Sequence, residues 1–587
     1  MLLGILLLSV QLHAAGANVA PRIAALLQQQ GLDGAVWTTL DAQGAAGVSD
    51  ARSGEPMRAD ARVQVGSVAK AVLATGVLRL VSERRLSLDA RVAALLPGVA
   101  FDNPWENTDP LRVRHLLDHT SGLDDARFWQ VFSLRPRADG PLAAAFPPES
   151  GLLRLRHRPG TRFSYSNMGY TLLAMVVEAV VEQAYERYFD AALLAPLGMH
   201  DSSFAFVSQD SDPRLAMGHV EHGETHPAVP SWVRPAGQFT TTAADMGRFA
   251  RFLMSDGSIG GKPFIDAVLL HRMGEPKGTE AARAGLSVGY GLGLRKVDRH
   301  GALAKCHSGN TIGFRATLCL FPQTQQAFFI AINADSETAD YHRFDAALVQ
   351  ALGRAGPAPP ASPAPRFDSR GWEGFYIPSP NRFDSMRFVD TVFNAVHVRS
   401  DGAQLRFAPF QSAAVALDHA GKGLFRAPGK LMPSHVLLIS AQGERIISTG
   451  TQSYAQVPLM RLLPLWTSMA AGMLGLAFIL VSATVRVARR SMPLHDPLLA
   501  PFAGVLALLL PLPFFYTQSF LQLGDLTMAS GLLATVTGAL PLAMLVGMGE
   551  MWRRRKLDKA VLAALVAVLQ LAAVLAAWGL LPLRLWA

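Results

Sequence analysis

Near residue 457 the chain changes character, and that break constrains its fold more than any other feature. Before it, polar and apolar residues are mixed. After it come four apolar runs, near residues 460–485, 497–516, 528–549 and 560–581. Each is close to the roughly twenty residues that a helix needs to cross a bilayer. The linkers between them are short, so the runs predict a four-helix transmembrane bundle over 458–587 joined to a water-facing front part. A chain of 587 residues also exceeds what one core holds and predicts about two to four domains.

Charge orients the bundle. The net charge is +9, and part of that excess lies beside the apolar runs, at Arg486, Arg489 and Arg490 and again from Arg553 to Lys556. The loop from Thr517 to Thr527 has no basic residue. Cytoplasmic loops carry the Lys and Arg excess. The basic loops therefore face the cytoplasm, and everything before residue 458 lies outside it. Membrane orientation explains these clusters better than nucleic acid, and no nucleic-acid partner is expected. Leu2 to Leu12 is an apolar run too short to span, followed by Ala15, Gly16 and Ala17, which reads as a signal peptide over 1–17 although it lacks a basic start. The expected location is a bacterial cytoplasmic (inner) membrane, multi-pass, with the front part on the periplasmic side.

Within that front part, Ala35 to Leu40 and Ala45 to Val48 read as two strands around a turn. Helical patterns follow at Val68 to Val81, Arg112 to Leu117, Tyr170 to Gln183 and Ala243 to Leu253, the last with Thr242 and Asp245 as a capping box. Short strands resume at Gly289 to Arg295, Ala302 to His307, Phe314 to Phe321 and Ala327 to Asn333. Strands at both ends with helices between predict an α+β fold over 18–353, one sheet joining the two ends and a helical region covering it. Residues 354–366 are Pro and Ala rich and read as a linker. Residues 367–457 read as a small β domain standing between the front domain and the membrane, with no catalytic constellation of its own. The two cysteines, Cys306 and Cys319, suit either two thiols packed in strands or a disulfide across a hairpin.

Three short motifs carry chemistry. Ser67 and Lys70 form the single Ser-x-x-Lys, at the start of a helix, where that spacing puts both side chains on one face. A lysine desolvated there loses its proton near neutral pH and can take the serine's. Tyr165, Ser166 and Asn167 form the single Tyr-x-Asn, just before a helix. His307, Ser308 and Gly309 end a strand and precede Asn310. Taken singly, each motif reads more simply as a surface turn, a packed tyrosine or a strand-end histidine.

In this order, with Val65-Gly-Ser-Val-Ala-Lys70, Arg114 to Leu123, Pro235 to Asp245 and Gly289 to Gly293 around them, they resemble the serine β-lactamase and penicillin-binding family over about residues 20 to 350. The branch is that of class C β-lactamases, D-alanyl-D-alanine carboxypeptidases, D-aminopeptidases and related esterases. The resemblance implies that Ser67 becomes acylated while Lys70 and Tyr165 move protons, and that Asn167 orients the lysine or a substrate amide. It implies an oxyanion hole from the backbone N–H groups of Ser67 and Asn310, the residue after Gly309. It implies no metal or organic cofactor, and a small-molecule or peptide substrate of the kind derived from cell wall. Related β-lactamases carry lysine where this chain has His307, and a neutral imidazole binds a carboxylate poorly. That favours a peptidase or esterase over a β-lactamase. The segment around His119 reads as a loop beneath the site with no chemical role, and Asp245 as a helix cap. A slowly deacylating sensor is the competing reading, and a transporter is disfavoured because Asp525 and Glu550 sit only at run ends.

Overall fold

The computed structural model describes residues 19–354, 356, 367–400, 404–555 and 557–587. The expected signal segment 1–17 and most of the 354–366 linker lie outside the described residues.

An eight-stranded antiparallel sheet organises the front part. Its order is Gly289–Gly291, Leu294–Arg299, Ala302–Thr311, Phe314–Phe321, Gln326–Ile332, Gly34–Thr38, Gln43–Asp50 and Glu55–Pro56. The N-terminal strand pairs with the last strand in sequence, Ala35 opposite Ile332, so the sheet joins the two ends as expected. Side chains along a strand alternate between faces, and each face here has its own core. Ala327, Phe329 and Ala331 point into the helical region with Val72 and Leu73. Phe328, Ile330 and Ile332 meet Ile23, Leu27, Phe344 and Leu348 of the helices Val19–Gln30 and His342–Ala351. Helix Ala69–Ser82 is buried around nearly its whole circumference, the mark of a core helix.

Three expectations change in detail. Gly289 to Arg295 is two strands, because Gly293 turns the chain at φ +91°, where a Cβ would stand 2.4 Å from the Ala74 methyl. The strand carrying His307 runs on to Thr311 instead of ending there. Thr242 does cap its helix, accepting from the Asp245 N–H. The Asp245 carboxylate, however, accepts from Asp201 N–H and Ser202 Oγ and pairs with Arg248 instead of closing a box.

Residues 374–457 form a closed eight-stranded antiparallel barrel, the first strand pairing with the last at Phe375 and Val457. Closure leaves no exposed strand edge. Tyr376, Val398, Leu417 and Phe425 fill it. The barrel is not simply a spacer. It is tied to the front domain through Arg162, which bonds Ser379 and Glu444, and to the bundle through Trp466 Nε1, which donates to Val392 O at 3.0 Å.

Among the described residues, four helices are long and apolar enough to cross a membrane: Leu459–Ala488, Leu499–Thr517, Met528–Arg553 and Lys559–Ala577. The second breaks between Ala507 and Leu512, where Pro511 removes a backbone donor. The first and last pack closely, Gly475 lying where a Cβ would sit 2.8 Å from Ala564 O, the small-residue contact typical of membrane helices. Asp525 is not an idle end residue. Its carboxylate accepts from Ser133 Oγ at 2.6 Å, from Leu134 N–H at 3.2 Å and from Arg135 Nε at 2.8 Å, docking the front domain directly on the 517–527 loop.

Candidate active site

Strand Val63–Gln64 delivers the chain to a 3₁₀ turn, Gly66–Val68, that runs straight into the buried helix. Ser67 sits on that turn and Lys70 one turn later, with Nζ 2.8 Å from Ser67 Oγ. Lys70 is completely buried. Its Nζ also donates to Asn167 Oδ1 at 2.8 Å and to Ala236 O at 2.6 Å, so three directions are used. A neutral amine fits this cage. Two N–H bonds go to the two carbonyl-type oxygens, and the lone pair is left facing the serine hydroxyl. Burial holds the Lys70 pKa well below its ordinary value; Asp125 works against that shift and Arg382 reinforces it.

Tyr165 O–H reaches Ser67 Oγ from the other side at 2.8 Å. Burial moves this phenol the opposite way, well above its usual pKa, so it keeps its proton. Ser166 caps the following helix by accepting from Gly169 N–H, which fixes Tyr165 just outside the first turn and Asn167 just inside it. Thus the Tyr-x-Asn spacing points one side chain at Ser67 and the other at Lys70.

The third motif lies along the edge of the same turn. A Cβ on Gly309 would stand 1.9 Å from Val65 O and 2.8 Å from Ser67 N, and one on Gly66 would stand 2.7 Å from Asn310 N. Only glycines allow this approach, which sets the Ser67 and Asn310 backbone N–H groups beside each other. His307 is enclosed, and burial together with nearby Lys70 lowers its pKa to about 3, so the ring is neutral. Its Nδ1 lies 2.8 Å from Ser308 O and its Nε2 3.1 Å from Tyr290 Oη. The proton belongs on Nδ1, because a carbonyl can only accept, and the tyrosine donates to Nε2. Six of the seven residues singled out in the sequence line one cleft, and Lys70 lies buried beneath it against Ser67.

The chain matches the family model described as Beta-lactamase over residues 19–352. The chain belongs to the β-lactamase family. Penicillin-binding protein 4 of Amycolatopsis lactamdurans is 30% identical over 334 residues, covering 55% of this chain and 86% of that protein. Protein Rv1367c of Mycobacterium tuberculosis is 28% identical over 283 residues, covering 42% of this chain and 69% of its own length. Among solved structures, SurE is 23% identical with a TM-score of 0.51, covering 76% of this chain and all of SurE. That share of the chain is larger than the family domain alone.

Around this β-lactamase-family centre stand residues that sequence reasoning missed. Asp125 is fully buried and accepts from Asn167 N–H at 2.6 Å, so it aims the asparagine at Lys70. Arg382 comes from the barrel, on the connection after strand Gly374–Pro378, and its guanidinium lies 4.6 Å from the Tyr165 ring centre. The β domain therefore does contribute to the site. No sequence signal could have found Arg382, which is 257 residues from its partner Asp125. His119 fits its expected place beneath the site. Its ring lies 4.2 Å from that of Tyr165, and Nδ1 accepts from Ser166 N–H. Elsewhere His300, His342 and Asp345 approach one another closely enough to hold a metal, but Arg299 already occupies the Asp345 carboxylate.

Proposed function

We propose that this chain is a membrane-anchored serine hydrolase that cleaves an amide or ester through an acyl-enzyme on Ser67. One observation carries the reading. Lys70 and Tyr165 both touch Ser67 Oγ, and burial drives their pKa values in opposite directions. Groups pushed apart in this way have separate proton-transfer tasks. Neutral Lys70 takes the serine proton as Oγ attacks the carbonyl carbon. The oxyanion that forms is met by the Ser67 and Asn310 backbone N–H groups, where charge develops only in the transition state. Tyr165 gives its proton to the departing amine or alcohol and recovers one from the Lys70 ammonium, which leaves both groups as they began. Water then releases the acyl group. Asn167 holds the lysine, and Gly309 keeps the strand close enough for the oxyanion hole.

Neutral His307 supports a peptidase or esterase over a β-lactamase, since it offers no charge to a lactam carboxylate. The relatives and neighbours with hydrolase names support the general class only. For placement, the 517–527 loop touches the hydrolase while Arg486 pairs with Asp496 and Asp558 at the opposite end of the bundle. That arrangement supports an outward-facing catalytic part in a bacterial inner membrane, with 18–353 as the hydrolase, 367–457 as the barrel and 458–587 as the bundle.

The test is intact mass of the full-length protein in detergent, wild type and Ser67→Ala, after a fluorophosphonate, a penicillin and a p-nitrophenyl ester. A covalent adduct and ester turnover are expected, both lost in Ser67→Ala. Adducts that persist without Ser67, or none on the wild type, overturn the reading. Release of hydrolysed penicillin at a rate matching the ester would make the enzyme a β-lactamase.

A further inference from the structure

The cleft at Ser67 has a larger and a smaller lobe. The larger, about 500 Å³, is lined by Ser67, Asn167 and Asn310 and by parts of two segments, 130–133 and 226–233. The two segments meet through Trp129 and Trp232, whose ring centres are 5.6 Å apart. Both also rest on the 517–527 loop. The Phe520 ring lies 6.4 Å from that of Phe132 and 4.8 Å from that of His226, and a Cβ on Gly524 would stand 2.4 Å from Trp129 Cα. With the Asp525 bonds to Ser133 and Leu134, these contacts all fall between Thr517 and Met528, the facing ends of two long apolar helices. Two walls of the lobe are therefore seated on the end of the bundle.

The side chains left exposed at this junction are apolar. Val131 and Leu134 of the wall and Tyr516, Leu526 and Met528 of the helix ends all face outward. The bond from Leu134 N–H to the Asp525 carboxylate brings Leu134 and Leu526 to the same rim. Val131 also lines the lobe, so the apolar surface runs from the helix ends into the cleft. Further in, Val229, Val233 and Ile312 are half-buried in the lining, and no aspartate or glutamate joins them. Exposed apolar side chains are ordinary one at a time. Gathered where helices of this length leave a bilayer, with a tyrosine among them, they suit contact with lipid.

Resting on the membrane-anchored acyl-enzyme reading above, we infer that the larger lobe draws its substrate from the bilayer: an amphiphilic ester or amide whose hydrocarbon chain crosses the rim at Leu134 and Leu526 while its carbonyl reaches Ser67. A soluble substrate gains nothing from such a rim. A chain that passes from lipid to this lining stays out of water, where each exposed methylene would cost free energy. The 517–527 loop then has a second task beside docking, since it sets the mouth of the lobe at the level where such a chain emerges.

Labelling of Ser67 tests this with one reaction, in which Oγ bonds to phosphorus and fluoride leaves. Full-length protein in phosphatidylcholine vesicles is treated with a fluorophosphonate bearing an ethyl group, added from water, or with one bearing an octadecyl chain. The octadecyl probe is supplied either in the same vesicles or in a second, protein-free population, and initial rates are read by intact mass. It should label about tenfold faster or more from the shared bilayer than from the second population. Leu134→Glu and Leu526→Glu should each slow labelling from the shared bilayer about tenfold, because a charge then sits where the chain crosses, and leave the ethyl rate unchanged. Equal rates from the two populations, or wild-type octadecyl rates in both variants, overturn the inference. A loss shared equally by the two probes overturns it too, because the rim would then only support the fold. A wild type that takes neither probe sinks the acyl-enzyme reading instead, a result distinct from any ratio between vesicle populations.

Discussion

Arg382 Nε lies 2.7 Å from Asp125 Oδ2, so a barrel residue neutralises the buried carboxylate that aims Asn167 at Lys70. The pair acts on Lys70 with opposite signs, Asp125 raising its pKa and Arg382 lowering it. Because Lys70 must be neutral to accept the serine proton, the acid limb of kcat/KM reports its titration in the free enzyme. Arg382→Gln removes the cation, lets the Lys70 pKa rise and should move that limb to higher pH. Asp125→Asn removes the anion and should move it to lower pH. A pH profile of ester turnover for both variants checks the signs, and shifts in the same direction would show that Lys70 is not the titrating base.

Tyr165→Phe should discriminate among leaving groups. The hydroxyl donates to Ser67 Oγ at 2.8 Å, and burial holds the proton on it. An amine or alkoxide needs that proton to depart, whereas p-nitrophenolate does not. Turnover of an anilide or alkyl ester should fall about 10²–10⁴-fold, the usual range for a general acid, while the p-nitrophenyl ester loses much less. Equal losses on all substrates would mean that Tyr165 only shapes the site.

The motif residues were legible in the sequence because each is local. Ser67 and Lys70 are one helical turn apart, Tyr165 and Asn167 flank one cap, and Gly309 lies where only a glycine fits against Val65. The apolar runs were legible because a bilayer demands about twenty such residues in a row. The contacts between domains were not. Asp525 looks like an end-of-helix residue until Ser133 is seen beside it, and Arg382 looks like one more surface arginine of a β domain. Both act across distances that only the tertiary fold closes. The Gly289 to Arg295 run reads in sequence as one strand because alternation continues through the turn at Gly293.

The Asp525 contact ties the apolar helical bundle to the cleft. Gly524 N–H donates to Phe132 O at 2.7 Å, Asp525 takes Leu134 N–H, and Gln130 and Val131 just before them line the larger lobe. Asp525→Ala leaves Ser133 and Leu134 without their acceptor, a loss of about 1–3 kcal/mol if the groups stay buried. Hydrogen exchange over residues 128–135 should quicken in this variant, and KM should rise for substrates that fill the larger lobe, with small-ester kcat held. Exchange as slow as in the wild type would show that the loop contact does not hold this wall.

Cys306 and Cys319 face each other in register on neighbouring strands and form a disulfide, the second of the two arrangements their spacing allows. Such a bond persists in an oxidising compartment, which agrees with a front part outside the cytoplasm. It closes a short loop, with the cysteines 13 residues apart, and a bond of this kind contributes about 2–4 kcal/mol. The strand pair remains in register from Lys305 opposite Leu320 to Thr311 opposite Phe314 without it. Cys306→Ser with Cys319→Ser should therefore lower the melting temperature of the hydrolase by a few degrees while fluorophosphonate labelling of Ser67 persists at room temperature. Peptide mapping without reductant, on protein produced from the full-length sequence in a bacterial host, should recover the two cysteines in one linked pair. Free thiols at both positions in that protein would return the pair to the other arrangement and remove this support for an outward-facing front part.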